Sequence, residues 1–140
     1  MSMTDPVFKL YAICSAVLTI QLLLLAIMTG ARRGKYKSYL NPEDSPQKSD
    51  GGDHPEVARV SRAHRNSIEN ILPFFGIGLL FAMTGQNPLV AQILIGTFTG
   101  ARVIHSIAYI AGKQPFRTLS FLTGVLTLLA MSAMVILKAF

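Results

Sequence analysis

Four apolar stretches, each long enough to cross a bilayer, constrain this chain more than any other feature. A helix rises about 1.5 Å per residue, so about 20 apolar residues cross a hydrocarbon core about 30 Å thick. Residues 7–31 form the first span, with Lys9 as their one charge, near the outer end. That run is too long for a signal-peptide core and reads as a retained span. The second runs over 56–84. Its later half, from Ile71 to Thr84, is apolar, while Arg59, Arg62, Arg65 and Glu69 crowd its first half. At 1.5 Å per residue this helix is about 43 Å long, so its charged end overlaps the headgroup zone or protrudes. Residues 88–112 form the third span, containing Arg102 and His105, and 116–137 the fourth, with no charge after Arg117. Gly85-Gln86-Asn87-Pro88 and Gly112 to Pro115 are tight turns. The polar stretch 36–55, with Asn41-Pro42, Ser45-Pro46 and Gly51-Gly52, is a loop with room for a short helix. Asp53-His54-Pro55-Glu56 has the form of a helix start, with proline near the first position and an acid in the first turn.

Composition agrees. Charged residues are 14% of the 140, against about 25% in soluble domains. Residues 1–140 are therefore expected to form one membrane domain, an all-α bundle of four transmembrane helices. No basic cluster interleaved with stacking aromatics is present, which argues against a nucleic-acid partner. A single cysteine, Cys14, excludes an intrachain disulfide and a cysteine-based zinc site. His64 and His105 lack the spacing of a helical metal motif, so no metal is expected. Eleven of the 13 Lys and Arg lie in or beside the 36–55 loop, in the 112–117 turn or at Arg102; the others are Lys9 and Lys138. The positive-inside rule then places both basic loops in the cytoplasm and both termini on the opposite side.

Charged residues inside spans are costly and usually have partners and a function. On a helical wheel Arg62, Arg65, Asn66 and Glu69 share one face of the second helix, and Arg102, His105 and Tyr109 share one face of the third. Counted from the turn that joins the helices, Glu69 lies at about 22 Å and Arg102 at about 21 Å. An ion pair between Glu69 and Arg102 is therefore expected, because each would otherwise be a lone buried charge. Arg62, Arg65, Arg117 and Arg33 then converge near the cytoplasmic boundary with no acid left in the spans. Loop acids, lipid phosphates or an anionic ligand could balance them, and arginine suits planar two-point recognition of carboxylates. Arg32, Lys35 and Lys37 read as snorkelling anchors. Gly96-x-x-x-Gly100 reads as a close helix-packing face, and Cys14 and the methionines as lipid-facing or core filler.

The same residues carry a family resemblance. Arg62-Ala63-His64-Arg65-Asn66, then Glu69-Asn70-Ile71-Leu72-Pro73-Phe74, resembles the signature of the membrane-associated proteins in eicosanoid and glutathione metabolism. Arg102-x-x-His105-x-x-x-Tyr109, Gln114-Pro115-x-Arg117 and Asn41-Pro42-Glu43-Asp44 continue it in the same order. The resemblance spans about Gly30 to Ser132. It implies a homotrimer that binds glutathione between subunits near the cytoplasmic face. By matched position, the glutathione contacts would be Arg33, Arg62, Arg65, Asn66, Glu69, His105, Tyr109 and Thr118, with Arg117 as the catalytic residue that stabilises the thiolate.

The implied activity is glutathione transfer to lipophilic electrophiles taken from the membrane lipids, with peroxidase activity on lipid hydroperoxides. The alternatives are a glutathione-dependent prostaglandin isomerase and a non-catalytic lipid-binding scaffold. Thr118 and Phe121 stand where the isomerase branch has serine and tyrosine, which favours the transferase. A cation transporter is a further class, but it would want an unpaired acid deep in a span.

Overall fold

The computed structural model describes residues 4–44 and 53–139. It contains α1 (Pro6–Tyr36), a 3-10 turn (Pro42–Asp44), α2 (Pro55–Met83), α3 (Pro88–Ile110) and α4 (Gln114–Ala139). Each of the four long helices is long and apolar enough to cross a membrane. Ser45-Pro46 and Gly51-Gly52 of the expected loop lie outside the described residues.

Local chemistry fixes the helix ends. Asp5 caps α1, its Oδ1 accepting from the N–H of Val7 at 2.8 Å and of Phe8 at 3.0 Å, and proline follows in the first turn. His54 caps α2 through Nδ1, which accepts from Glu56 N–H at 3.3 Å. Asn87 caps α3 through Oδ1 at 2.9 Å from Leu89 N. The turns before α3 and α4 each use a glycine with positive φ, Gly85 at 64° and Gly112 at 68°. α1 continues five residues past the expected Ala31, through Arg32, Arg33 and Lys35. Basic side chains suit a helix C-terminus that has left the hydrocarbon. α2 is one element through Pro73.

The helices form a rhombus. Going round it, α1 packs on α2, α2 on α4, α4 on α3 and α3 on α1; α2 and α3 also touch across the short diagonal, and α1 and α4 do not meet. The interior divides by depth. In the half nearer the Gly85 turn it is apolar, with Phe74 stacked on Phe98 at 4.4 Å among Tyr11, Cys14, Leu18, Ile71 and Ile95. Tyr11 brings its hydroxyl inside, donating to Phe75 O at 2.7 Å. In the other half polar side chains enter the interior, Gln21, Ser67, Arg102, His105, Ser106 and Ser120, among buried Leu25, Val57, Val60 and Ala63. The outer surface is the reverse of a soluble protein's. Arg102 is 1% exposed and Ile27 67% exposed, as expected where lipid is the solvent.

The glycine expectation needs correction. A side chain at Gly96 or Gly100 would meet nothing within 4 Å, so no helix of the subunit packs on that face. The close approaches are at Gly78, where a Cβ would lie 3.0 Å from the Tyr11 ring, and at Gly124. Both glycines face the interior, whereas Gly96 and Gly100 face outward.

Candidate functional site

Polar side chains of α3 meet the start of α4. His105 Nδ1 lies 2.9 Å from the carbonyl oxygen of Arg117. A carbonyl only accepts, so Nδ1 carries the hydrogen and Nε2 of the neutral ring keeps its lone pair. Nε2 is buried with no hydrogen-bond partner among the described residues. One turn on, the Tyr109 ring stands edge-on to His105, with centroids 5.6 Å apart. The Arg117 guanidinium lies 4.9 Å from the Tyr109 centroid and donates to Gln114 Oε1. The structure thus brings His105, Tyr109 and Arg117 together, with a half-buried guanidinium at the first turn of α4. Thr118 lies next to it, exposed.

Arg102 is deeper. Its Nη2 donates to the carbonyls of Ser120 at 3.2 Å and Phe121 at 3.3 Å. Its charge lies over the rings of Phe121 at 5.6 Å and Phe98 at 5.9 Å. Nε and Nη1 have no hydrogen-bond partner among the described residues.

The expected Glu69–Arg102 ion pair does not form within the subunit: Arg102 turns to α4, and Glu69 is exposed. The depth match between the two residues was insufficient because helix rotation decides which faces meet. α2 turns Ala63, Ser67, Ile71 and Phe74 inward. That leaves Arg62, Arg65 and Glu69 on the outside. Asn66 lies at the edge, its Oδ1 buried and without a hydrogen-bond partner among the described residues, its carbonyl accepting from Asn70 Nδ2 at 2.8 Å.

Arg33 is held by a loop acid. Asp53 takes it in two-point fashion, at 2.9 Å and 3.2 Å, and Ser38 Oγ donates to the same carboxylate at 3.3 Å. Tyr36 stacks on His54 at 3.9 Å, and Arg32 pairs with Glu56 at 3.2 Å. Arg32, read from sequence as a snorkelling anchor, also ties the end of α1 to the start of α2.

Sequence reasoning missed one constellation. Gln21 Nε2 donates to Ser106 Oγ at 2.6 Å, and Ser106 Oγ lies 3.1 Å from Ser67 Oγ, linking α1, α3 and α2. The available signal was a lone amide in an otherwise apolar part of the first span.

The arrangement offers one half-buried guanidinium beside an imidazole and a phenol, with two exposed arginines and a carboxylate on the neighbouring helix. Comparison with known proteins gives it a lineage: the model of the MAPEG family matches residues 11–137. The chain belongs to the MAPEG family. Among its MAPEG relatives, prostaglandin E synthase of Macaca fascicularis is 33% identical, over 99% of this chain and 94% of its own. Human prostaglandin E synthase is 34% identical, over 98% and 93%. Human microsomal glutathione S-transferase 1 is 38% identical, over 87% and 84%. Family and helices together make this MAPEG protein a multi-pass membrane bundle.

Proposed function

We propose that the protein is a glutathione-dependent membrane enzyme, a transferase with peroxidase capacity. The observation that carries this reading is the half-buried Arg117 guanidinium held against Tyr109 beside His105. The names of the relatives supply the ligand: one is a glutathione transferase.

The residues present fit glutathione by their donor chemistry. Its two carboxylates suit the exposed guanidiniums of Arg62 and Arg65, and its amine suits Glu69, with Asn66, His105, Tyr109 and Thr118 completing the set. Arg33 would join if Asp53 released it. Bound glutathione supplies a sulfur nucleophile for a lipophilic electrophile or lipid hydroperoxide from the bilayer. A thiol has a pKa of about 8.5 and only the thiolate is strongly nucleophilic. A guanidinium at the sulfur favours the thiolate; lowering its pKa by two units needs about 2.7 kcal/mol of differential stabilisation. Arg117 is the residue assigned to that role. His105, donating to the Arg117 carbonyl, holds the first turn of α4 in place.

The outward row of Arg62, Arg65 and Glu69 supports assembly. Charges on a membrane helix need polar surroundings, and in a homotrimer a neighbouring subunit and the shared ligand would provide them. The positive-inside bias supports a site near the cytoplasm with both termini opposite. A prostaglandin isomerase is the second reading, favoured by relatives of that name matching nearly the whole chain. Phe121 and Thr118 weigh against it. Retention of the Arg, Asn and Glu set weighs against the scaffold.

An ultraviolet difference spectrum of the purified protein with glutathione tests the proposal. Thiolate absorbance near neutral pH is expected in the wild type and its loss in Arg117→Ala. If the wild type shows no thiolate signal and calorimetry detects no glutathione binding, the reading fails.

A further inference from the structure

Arg102 is a fully buried cation, 1% exposed. The ion pairs among the described residues join Arg32, Arg33 and Arg59 to Asp53 and Glu56, and none includes Arg102. Its partners are the carbonyls of Ser120 and Phe121 and the rings of Phe98 and Phe121. These soften the charge without cancelling it. The fold has little need of that charge. Both carbonyls lie inside α4, where the helix's own N–H groups already use them. An apolar side chain in place of a buried charge is often neutral or stabilising. A cation held at membrane depth without an acid points to a task outside packing.

The first turns of α4 show where its field acts. Arg102 reaches α4 at Ser120, and the Arg117 guanidinium donates to Gln114 Oε1. Ser120 and Gln114 are six residues apart, about 9 Å along the helix. A sulfur at Arg117 would therefore stand roughly 10 Å from Arg102. His105 adjoins both, one turn from Arg102 on α3 and bonded to the Arg117 carbonyl at 2.9 Å. The other titratable groups nearby are Tyr109 on α3 and Arg62, Arg65 and Glu69 on the outer face of α2; α1 carries none between Cys14 and Arg32. The rings of Phe121, His105 and Tyr109 fill the path along α3. Salt ions do not enter such an interior, so the field escapes the screening of surface charges. At an effective dielectric of about 20 and roughly 10 Å, one unit charge shifts an ionisation by about one pKa unit.

We propose that Arg102 is a second cation of the glutathione site that never touches the ligand: its buried charge favours the thiolate at Arg117 through space. The inference rests on the glutathione reading above. Arg117 meets the sulfur at a half-exposed position, while Arg102 adds a charge that solvent does not reach.

The test is a pH titration of the thiolate absorbance of bound glutathione in the wild type, Arg102→Met and Arg102→Lys, each saturated with glutathione as judged by calorimetry. Arg102→Met is expected to raise the apparent pKa of the bound thiol by about one unit, and Arg102→Lys to keep it near the wild-type value. Altered packing alone would not sort the variants by charge. Should Arg102→Met fail to fold, Arg102→Gln serves as the neutral variant, since its amide can still donate to a carbonyl of α4. A neutral variant that titrates with the wild type overturns the proposal and leaves the glutathione reading standing. So does Arg102→Lys titrating with the neutral variant. No thiolate signal in the wild type removes both.

Discussion

The guanidinium of Arg102 occupies the space a side chain at residue 124 would need: a Cβ on Gly124 would lie 2.8 Å from both Nε and Nη2. That space lets a charged residue sit between helices and reach the carbonyls of Ser120 and Phe121. Gly124→Ala must therefore displace the guanidinium or part α3 from α4. The expected loss is about 1–3 kcal/mol of stability, the range for overpacked cores, read as a lowered melting temperature in detergent. The same substitution in an Arg102→Leu background should cost clearly less, since the clash is gone and neighbouring residues couple. Equal losses in the two backgrounds would disprove the wedge.

His105 supplies a second tie between α3 and α4, one turn closer to Arg117. Its Nδ1 donates to the carbonyl of the residue assigned to the thiolate. Asparagine can place an amide N–H near the position of Nδ1, and leucine cannot. His105→Leu is expected to lower glutathione-dependent turnover by up to about tenfold, in line with a net hydrogen bond of about 0.5–1.5 kcal/mol. His105→Asn should recover part of that loss. A steady-state comparison checks it, and equal rates for the two variants would remove the tie from the account.

The spans, the two tight turns and the start of α2 were legible because hydropathy, proline and glycine act locally. That His105 and Tyr109 share one face of α3 was legible too; that Arg117 joins them came only from the family resemblance. Rotation of α2 was not legible. It is set by how Ala63, Ser67 and Phe74 fill the interior, and a polar stripe on a wheel does not say whether it faces the interior or the outside. The wheel and the depth count therefore paired Glu69 with Arg102, although the two face different ways. Ser67 and Ser106 escaped for a related reason: a serine in a membrane helix can bond its own backbone, as Ser132 does, so the sequence does not reveal which serines reach across to a neighbour.

The Arg33–Asp53 pair joins the end of α1 to the residue before the α2 cap. Its side chains are 17% and 22% exposed and the geometry is two-point. Partial solvent screening keeps the coupling modest, at about 1 kcal/mol or below. A double-mutant cycle with Arg33→Ala and Asp53→Ala, followed by thermal unfolding, is expected to give that coupling at low salt and less at high salt. A coupling unchanged by salt would mean that the pair is more deeply shielded than its exposure indicates.

Arg65 and Glu69 decide whether the outer face of α2 meets lipid or protein. A charge facing the hydrocarbon core costs about 2.5–3.5 kcal/mol on insertion scales. If α2 faced lipid here, Glu69→Leu would remove that cost and the protein would gain stability. If a second subunit and its ligand cover the face, the same substitution removes a needed polar partner and strands the arginines opposite it. The homotrimer reading predicts the second result: Glu69→Leu and Arg65→Leu each lower the melting temperature, weaken glutathione binding and shift the mass in detergent toward the monomer. Light scattering of the detergent-solubilised protein measures that mass. A raised melting temperature with unchanged mass would place α2 against lipid and end the shared-site account.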